Sequence, residues 1–410
     1  MTRRPGNLGG IGGGAPDVKG GEAGGPPCAE GAAAGLGASL VQKRVAVCVG
    51  PGGVGKTTVA AAVALKRAMA GGRTLVCTID PARRLANALG LESLGNVEAH
   101  VPEHKFREVG LAPRGELHAM MLDVKRTWDD LVTRHAPDRA RQERIFRNRI
   151  YQQLSSALAG SQEYMAMEKL YELSTERDYD LIVLDTPPTT HALDFLEAPD
   201  RILDFLGNET ARALLSPAVS AGKMGLRLFQ LGGTYVARTL ARFTGGEVLS
   251  ELAEFLAAFH GMYEGFKDRA AAVRELFGQP EVGFVIVSSA SPRAVDDAIY
   301  FHERLHAEAM PIAAVVANRV TPELWAGAEP PPGAAALAAA LAAVGGAGPD
   351  AADLAGRLAR TFAEHELLAR ADEREIARLL SLEAPARIAL PRLESDVHDL
   401  SGLAALAAML

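Results

Sequence analysis

The sequence predicts an α/β protein with a doubly wound, mostly parallel sheet and a helical subdomain inserted into it. Short continuous apolar runs alternate with helical segments, which is how strands covered on both faces read. The sharpest motifs follow those runs directly, and open parallel sheets bind ligands beyond the carboxyl ends of their strands. The strand candidates are 44–49, 74–79, 117–122, 181–184, 284–287, 312–317 and 387–390.

Residues 1–40 come first and are dominated by Gly, Ala and Pro, with few large aliphatic side chains. Such a stretch buries too little apolar surface to offset its ordering entropy, so a disordered tail is expected. It lacks the apolar run of a secretory signal. From 41 to 400 the pattern is that of one α/β domain with insertions.

The first strand run, RVAVCV, leads straight into residues 50–57, GPGGVGKT, and then into the Ala-rich helical stretch 58–69. The eight residues fit the phosphate-binding pattern G-x-x-x-x-G-K-[ST]. Strand, glycine-rich turn and helix N-terminus together make an anion cradle, because backbone N–H groups and the helix dipole converge there. Gly50, Gly52, Gly53, Val54 and Gly55, with Thr58 at the helix start, are the expected loop contacts. Lys56 would reach the β- and γ-phosphates, and the Thr57 hydroxyl would ligate Mg²⁺.

Residues 78–89 read TIDPARRLANAL. Asp80 ends the second strand run, beside the glycine loop. There it either orients and deprotonates an attacking water or caps the helix that follows, a common job for Asp-Pro. Residues 181–199 read LIVLDTPPTTHALDFLEAP. An apolar strand ending in an acid suits Mg²⁺ coordination by Asp185, directly or through water. His191 lies in the segment behind it, as a hydrogen-bonding member or a general base. Residues 315–320 read VVANRV, and the Asn318 amide could pair with an adenine edge or simply shape a turn.

Two stretches, 123–176 and 193–276, are helical in pattern with no strand candidate. The second collects seven of the 13 Phe, together with Met224 and Met262. Apolar side chains at helical spacing report either a local core or a groove for an apolar partner. The uncharged Ala/Gly/Pro stretch 330–349 reads as a low-complexity surface insertion, and 399–410 as a C-terminal helix.

The composition is 48% hydrophobic and 23% charged over 410 residues, as in soluble globular proteins. A net charge of −7 offers no basic face to nucleic acid. Cys28, Cys48 and Cys77 are widely spaced, with no C-x-x-C pair for zinc, which suits a reducing cytoplasm.

In family order, GGVGKTT, DPARRLANAL, LDTPPTTHALDFL and NR resemble the arsenite-pump ATPase family, which includes the targeting factor for tail-anchored membrane proteins. The resemblance runs from about 43 to 400. It implies a P-loop NTPase fold with a deviant Walker A loop, Mg²⁺-dependent hydrolysis of ATP, and nucleotide held at a homodimer-like interface. On it Lys56 and Thr57 are P-loop residues, Asp80 is the switch I catalytic Asp, Asp185 is the metal-side Asp, and Asn318 reads adenine.

Two departures stand out. Most of the family places a second, signature lysine before the Gly-Gly pair, and here that position is Pro51. Arg83 or Arg84 could supply substitute charge. The cysteine cluster that holds arsenite and the zinc pair of the targeting factor are both missing. A cytoplasmic ATPase is expected, peripheral to a membrane through a partner. It would act as a homodimer or a dimer with a paralogue, coupled to a membrane protein or to an apolar client at the helical subdomain. The alternatives are a client-binding module timed by ATP and a nucleotide-binding regulator with little turnover.

Overall fold

The structure is a computed structural model that describes residues 35–79, 84–157, 161–187, 251, 255, 263–325, 333–343 and 351–410. Its sheet contains β1 (Val45–Val49), β2 (Arg73–Thr78), β3 (Ala99–His100), β4 (Glu116–Met121), β5 (Leu181–Asp185), β6 (Val282–Ser289), β7 (Ile312–Val320) and β8 (Ala386–Pro391). They hydrogen-bond in the order β3-β4-β2-β5-β1-β6-β7-β8, all parallel except β3 against β4. The seven expected strands are present. β6 runs two residues beyond the expected run at each end and β7 three residues beyond it at the carboxyl end, since backbone pairing continues past the apolar side chains. The two-residue β3 was not expected. It is an antiparallel edge strand of Ala and His with no hydrophobic pattern to reveal it.

The helices in chain order are α1 (Leu36–Ser39), α2 (Lys56–Met69), α3 (Arg84–Ala88), α4 (Glu103–Glu108), α5 (Val124–His135), α6 (Arg139–Arg147) and α7 (Arg149–Ala157). They continue with α8 (Ser161–Glu176), α9 (Tyr263–Gly278), α10 (Pro292–Ala307), α11 (Ala334–Ala343), α12 (Ala351–Leu380) and α13 (Leu400–Met409). Alternation along β1 assigns them to layers. Val45, Val47 and Val49 join one core with residues of α5, α8, α9, α10 and α12, whereas Ala46 and Cys48 join the other with α1, α2, α3, α4 and α13. Each aliphatic side chain fully buried in this way contributes roughly 1.5–3 kcal/mol. Both cores are needed to hold a parallel sheet, which leaves no face for water.

The described chain starts inside the segment read as a tail. Residues 36–40 are ordered because Leu36 and Leu40 are buried in the α13-side core and the Leu36 N–H donates to the Leu410 carbonyl at 2.8 Å. The stretch 123–176 contains α5 to α8 and no strand among its described residues. Most of 193–276 lies outside the described residues, with five Phe of its cluster, while Phe255 and Phe266 are described and buried in the core with Val45, Val47 and Val49. Within the stretch read as a surface insertion, α11 is helical and none of its residues is buried. Among the described residues no helix is long and apolar enough to cross a membrane.

Candidate functional site

The site forms where β1, β2 and β5 end together. β1 runs into the glycine loop, which turns back into α2 through Gly55, held at φ 93°. No side chain caps α2, so the N–H groups of its first turn remain for an anion. Gly50 at φ 148° packs so closely on β6 that a Cβ there would collide with the Val287 carbonyl. Gly50→Ala should therefore cost about 2–4 kcal/mol, from backbone strain plus displacement of β6. Gly53→Ala is the control. Gly53 also has positive φ, but its Cβ would meet nothing within 4 Å, so only strain of about 1–2 kcal/mol is expected. Denaturant unfolding of the two variants checks the ranking, and equal losses would contradict it.

Lys56 opens α2 and is only 7% exposed. Its Nζ donates to the carbonyls of Gly50 and Pro51, each at 2.9 Å, so the ammonium lies folded into the loop. Pro51 is buried and presents no side-chain cation. Beside Lys56, one carboxylate joins three elements. Asp185 Oδ2 accepts from Thr57 Oγ1 of α2 and from Thr78 Oγ1 of β2, both at 2.7 Å. Thr186, next along, donates its hydroxyl to the Cys48 carbonyl of β1 at 2.8 Å. Hydroxyl and carboxylate oxygens are the hard donors that suit Mg²⁺. Thr57 and Asp185, read separately from sequence, are thus brought into contact. The Thr78 contribution had no motif to mark it.

On the other side of β1, Asn318 ends the buried part of β7 and is 5% exposed. Its Nδ2 donates to the Val54 carbonyl at 2.8 Å, and its Oδ1 accepts from the Arg319 N–H at 3.0 Å. Arg319, at φ 59°, donates from Nη1 to the Gly53 carbonyl at 3.2 Å. The NR pair therefore clamps the loop from β7. Among the described residues, one N–H and one lone pair of the Asn318 amide have no partner.

A cavity of about 600 Å³ opens over these groups, the right size for a nucleotide. Gly53, Gly55, Lys56, Thr57, Thr58 and Asn318 all line it. Gly50, Gly52, Val54 and Asp185 are not in the lining, Gly52 being exposed and the other three buried. The far wall is a segment that the motifs did not reveal, Pro391 to His398 after β8. The rule that ligands sit beyond strand ends applied there too. No glycine loop or strand-end acid drew attention to it. His398 Nδ1 lies 2.6 Å from the Asp396 carbonyl, the geometry of a hydrogen bond donated by the ring. Asp80, Arg83 and His191 lie outside the described residues.

Cys48 and Cys77 are buried free thiols belonging to the two opposite cores. Burial pushes Cys77 up to about 12, and burial together with nearby Asp185 pushes Cys48 up as well. These two cysteines offer no paired thiolate site at neutral pH.

The fold and this strand-end cradle define a P-loop α/β protein. Residues 43–327 match the family model described as anion-transporting ATPase, and the chain belongs to that family. Over 159 residues it is 33% identical to a protein of Halobacterium salinarum named as an arsenical pump-driving ATPase, covering 37% of this chain and 23% of that one. A similarly named protein of Chlorobaculum tepidum is 29% identical over 170 residues, covering 39% and 36%. The Arabidopsis thaliana protein ATPase GET3C is 25% identical over 294 residues, covering 70% and 69%. The chain spans less than half the length of the first two.

Proposed function

We propose that this chain binds ATP with Mg²⁺ and hydrolyses it. The observation that carries the reading is the contact between Thr57 and Asp185 at 2.7 Å, beside a buried lysine and under a nucleotide-sized cavity. Lys56 would leave the Gly50 and Pro51 carbonyls for phosphate oxygens, exchanging two neutral acceptors for charged ones. The α2 N-terminus would bind the same group through its uncapped N–H donors. Thr57 and Asp185 would hold the Mg²⁺, which when bound neutralises charge on the phosphates. Asn318 would pair its spare N–H and lone pair with the adenine edge, the 391–398 segment closing over the base and ribose.

Asp80 is assigned the orientation of the attacking water, since it follows β2 one residue beyond Ile79, whose N–H donates to the Asp185 carbonyl at 3.4 Å. Asp80→Asn should leave ATP affinity within about twofold while lowering turnover by roughly 10²–10⁴, the range for a positioned acid–base group. Calorimetry and a phosphate-release assay on the same protein test this. A variant that turns over at the parental rate would overturn the assignment.

Hydrolysis would drive a conformational change relayed through the segments after β2 and β5, passed to a membrane protein or an apolar client. A homodimer, or a dimer with a paralogue, in the cytoplasm is the expected setting. Pumping of arsenite is not part of the reading, because Cys48 and Cys77 cannot form a soft-metal pair.

A further inference from the structure

The cavity is lined by more positive charge than the loop alone supplies. Among the described residues that line it, Lys56, Arg84, Arg319 and Arg392 face a single carboxylate, Asp396. The three arginines are not equivalent. Arg319 is already engaged with the Gly53 carbonyl. Arg392 follows β8, on the side of β1 where Asn318 lies. Arg84 lies on the opposite side of β1, following β2, where Thr78 shares Asp185 with Thr57.

Arg84 is built to reach into the site. It begins α3, whose next residues Leu85, Ala86 and Ala88 are buried, so its backbone is fixed against the core. Its side chain is exposed and lines the cavity together with Lys56, Thr57 and Thr58. α3 carries no acid that could pair with it, and among the described residues Arg84 has no hydrogen-bond or ion-pair partner. The glycine loop meanwhile offers no second cation, because Pro51 stands between Gly50 and Gly52. A guanidinium so placed has one obvious complement, a phosphate chain, which its planar fork can grip through two oxygens.

We propose that Arg84 binds the phosphate chain of the nucleotide held by its own chain's loop, as a second side-chain cation beside Lys56. This rests on the ATP reading above. It differs from a role reaching across a dimer, because Arg84 and Lys56 line one cavity of a single chain.

The test uses the full chain with ATP and ADP in Mg²⁺, measured by calorimetry for the parent, Arg84→Ala, Arg84→Gln and Arg84→Lys. Loss of a charge-assisted contact predicts affinities roughly 10- to 100-fold weaker for Ala and Gln. Lys should recover part of that loss, since it keeps the charge without the fork. Because the side chain is exposed, thermal unfolding should be unchanged, which a structural role would not predict. Mixing Arg84→Ala with Lys56→Ala should restore no ATPase activity. Restored activity would place the arginine in the partner's site and overturn the same-chain assignment. Tight binding by the parent with unaltered affinity in Arg84→Ala and Arg84→Gln would overturn the arginine's role alone. Failure of the parent to bind either nucleotide would overturn the ATP reading and this inference with it.

Discussion

Lys56→Ala should lower ATP hydrolysis by roughly two to three orders of magnitude, the scale set by removing one preorganised charge donor from a reacting group. The ammonium is buried at the mouth of α2, with both identified acceptors on the loop it would leave when phosphate arrives. Its removal therefore takes a cation from the place where negative charge gathers. The fold should survive, because Lys56 itself lines the open cavity, so its truncation admits water that can donate to the Gly50 and Pro51 carbonyls instead. A cost of about 1 kcal/mol is expected for that exchange. Steady-state hydrolysis with circular dichroism and denaturant unfolding checks both halves. A parental rate in well-folded Lys56→Ala would remove the phosphate-binding loop from the mechanism.

Asp185→Asn should act differently, through metal and fold together. The carboxylate is 1% exposed and accepts two hydroxyl hydrogen bonds, from Thr57 and Thr78. An amide can still accept through one oxygen but loses the charge that strengthens both bonds and attracts Mg²⁺. It also introduces an NH₂ group that needs acceptors of its own. The expected result is a Mg²⁺ requirement raised at least about tenfold, with hydrolysis nearly lost. Stability should fall by about 1–3 kcal/mol, since the three elements are no longer joined by a charged acceptor. Magnesium titrations of hydrolysis and thermal unfolding would show it. An unchanged magnesium midpoint would move the metal elsewhere.

The contrast between these two residues explains how much of the site the sequence disclosed. Lys56 was legible because the glycine loop is one short contiguous segment, so its requirements appear as contiguous letters. Asp185 was legible because a parallel strand buried on both faces stops being apolar at its carboxyl end, where Asp185 reaches Thr57 and Thr78. Thr78 carried no such mark. Its hydroxyl matters only because β2 lies beside β5, and neighbour relations between strands leave no trace in the hydrophobic pattern. The same reasoning covers 391–398. That segment follows a strand like the others, but it becomes a cavity wall only because α13, which comes after it, folds back beside α2, where Lys66 Nζ donates to the Ala407 carbonyl at 3.1 Å.

The short elements behaved alike. β3 pairs Ala99 with Ala119 and His100 with His118 at the sheet edge, and two residues are too few to show a period. α1 was read as part of a tail because its composition resembles one. It is ordered by burial of Leu36 and Leu40 against the far end of the chain, which composition cannot register.

By itself, then, the sequence determined the fold class, seven strands, the loop, and the residue types at the strand ends. Local propensity and burial leave those in the order of letters. The tertiary structure alone decided which strand lies beside which, that Thr57, Thr78 and Asp185 meet at one oxygen, and that Asn318 and Arg319 clamp the loop. It also placed Arg84 in the same cavity as Lys56. Those are contacts between residues far apart in the chain, set by packing of two hydrophobic layers on a parallel sheet, and no local pattern encodes the distance between them.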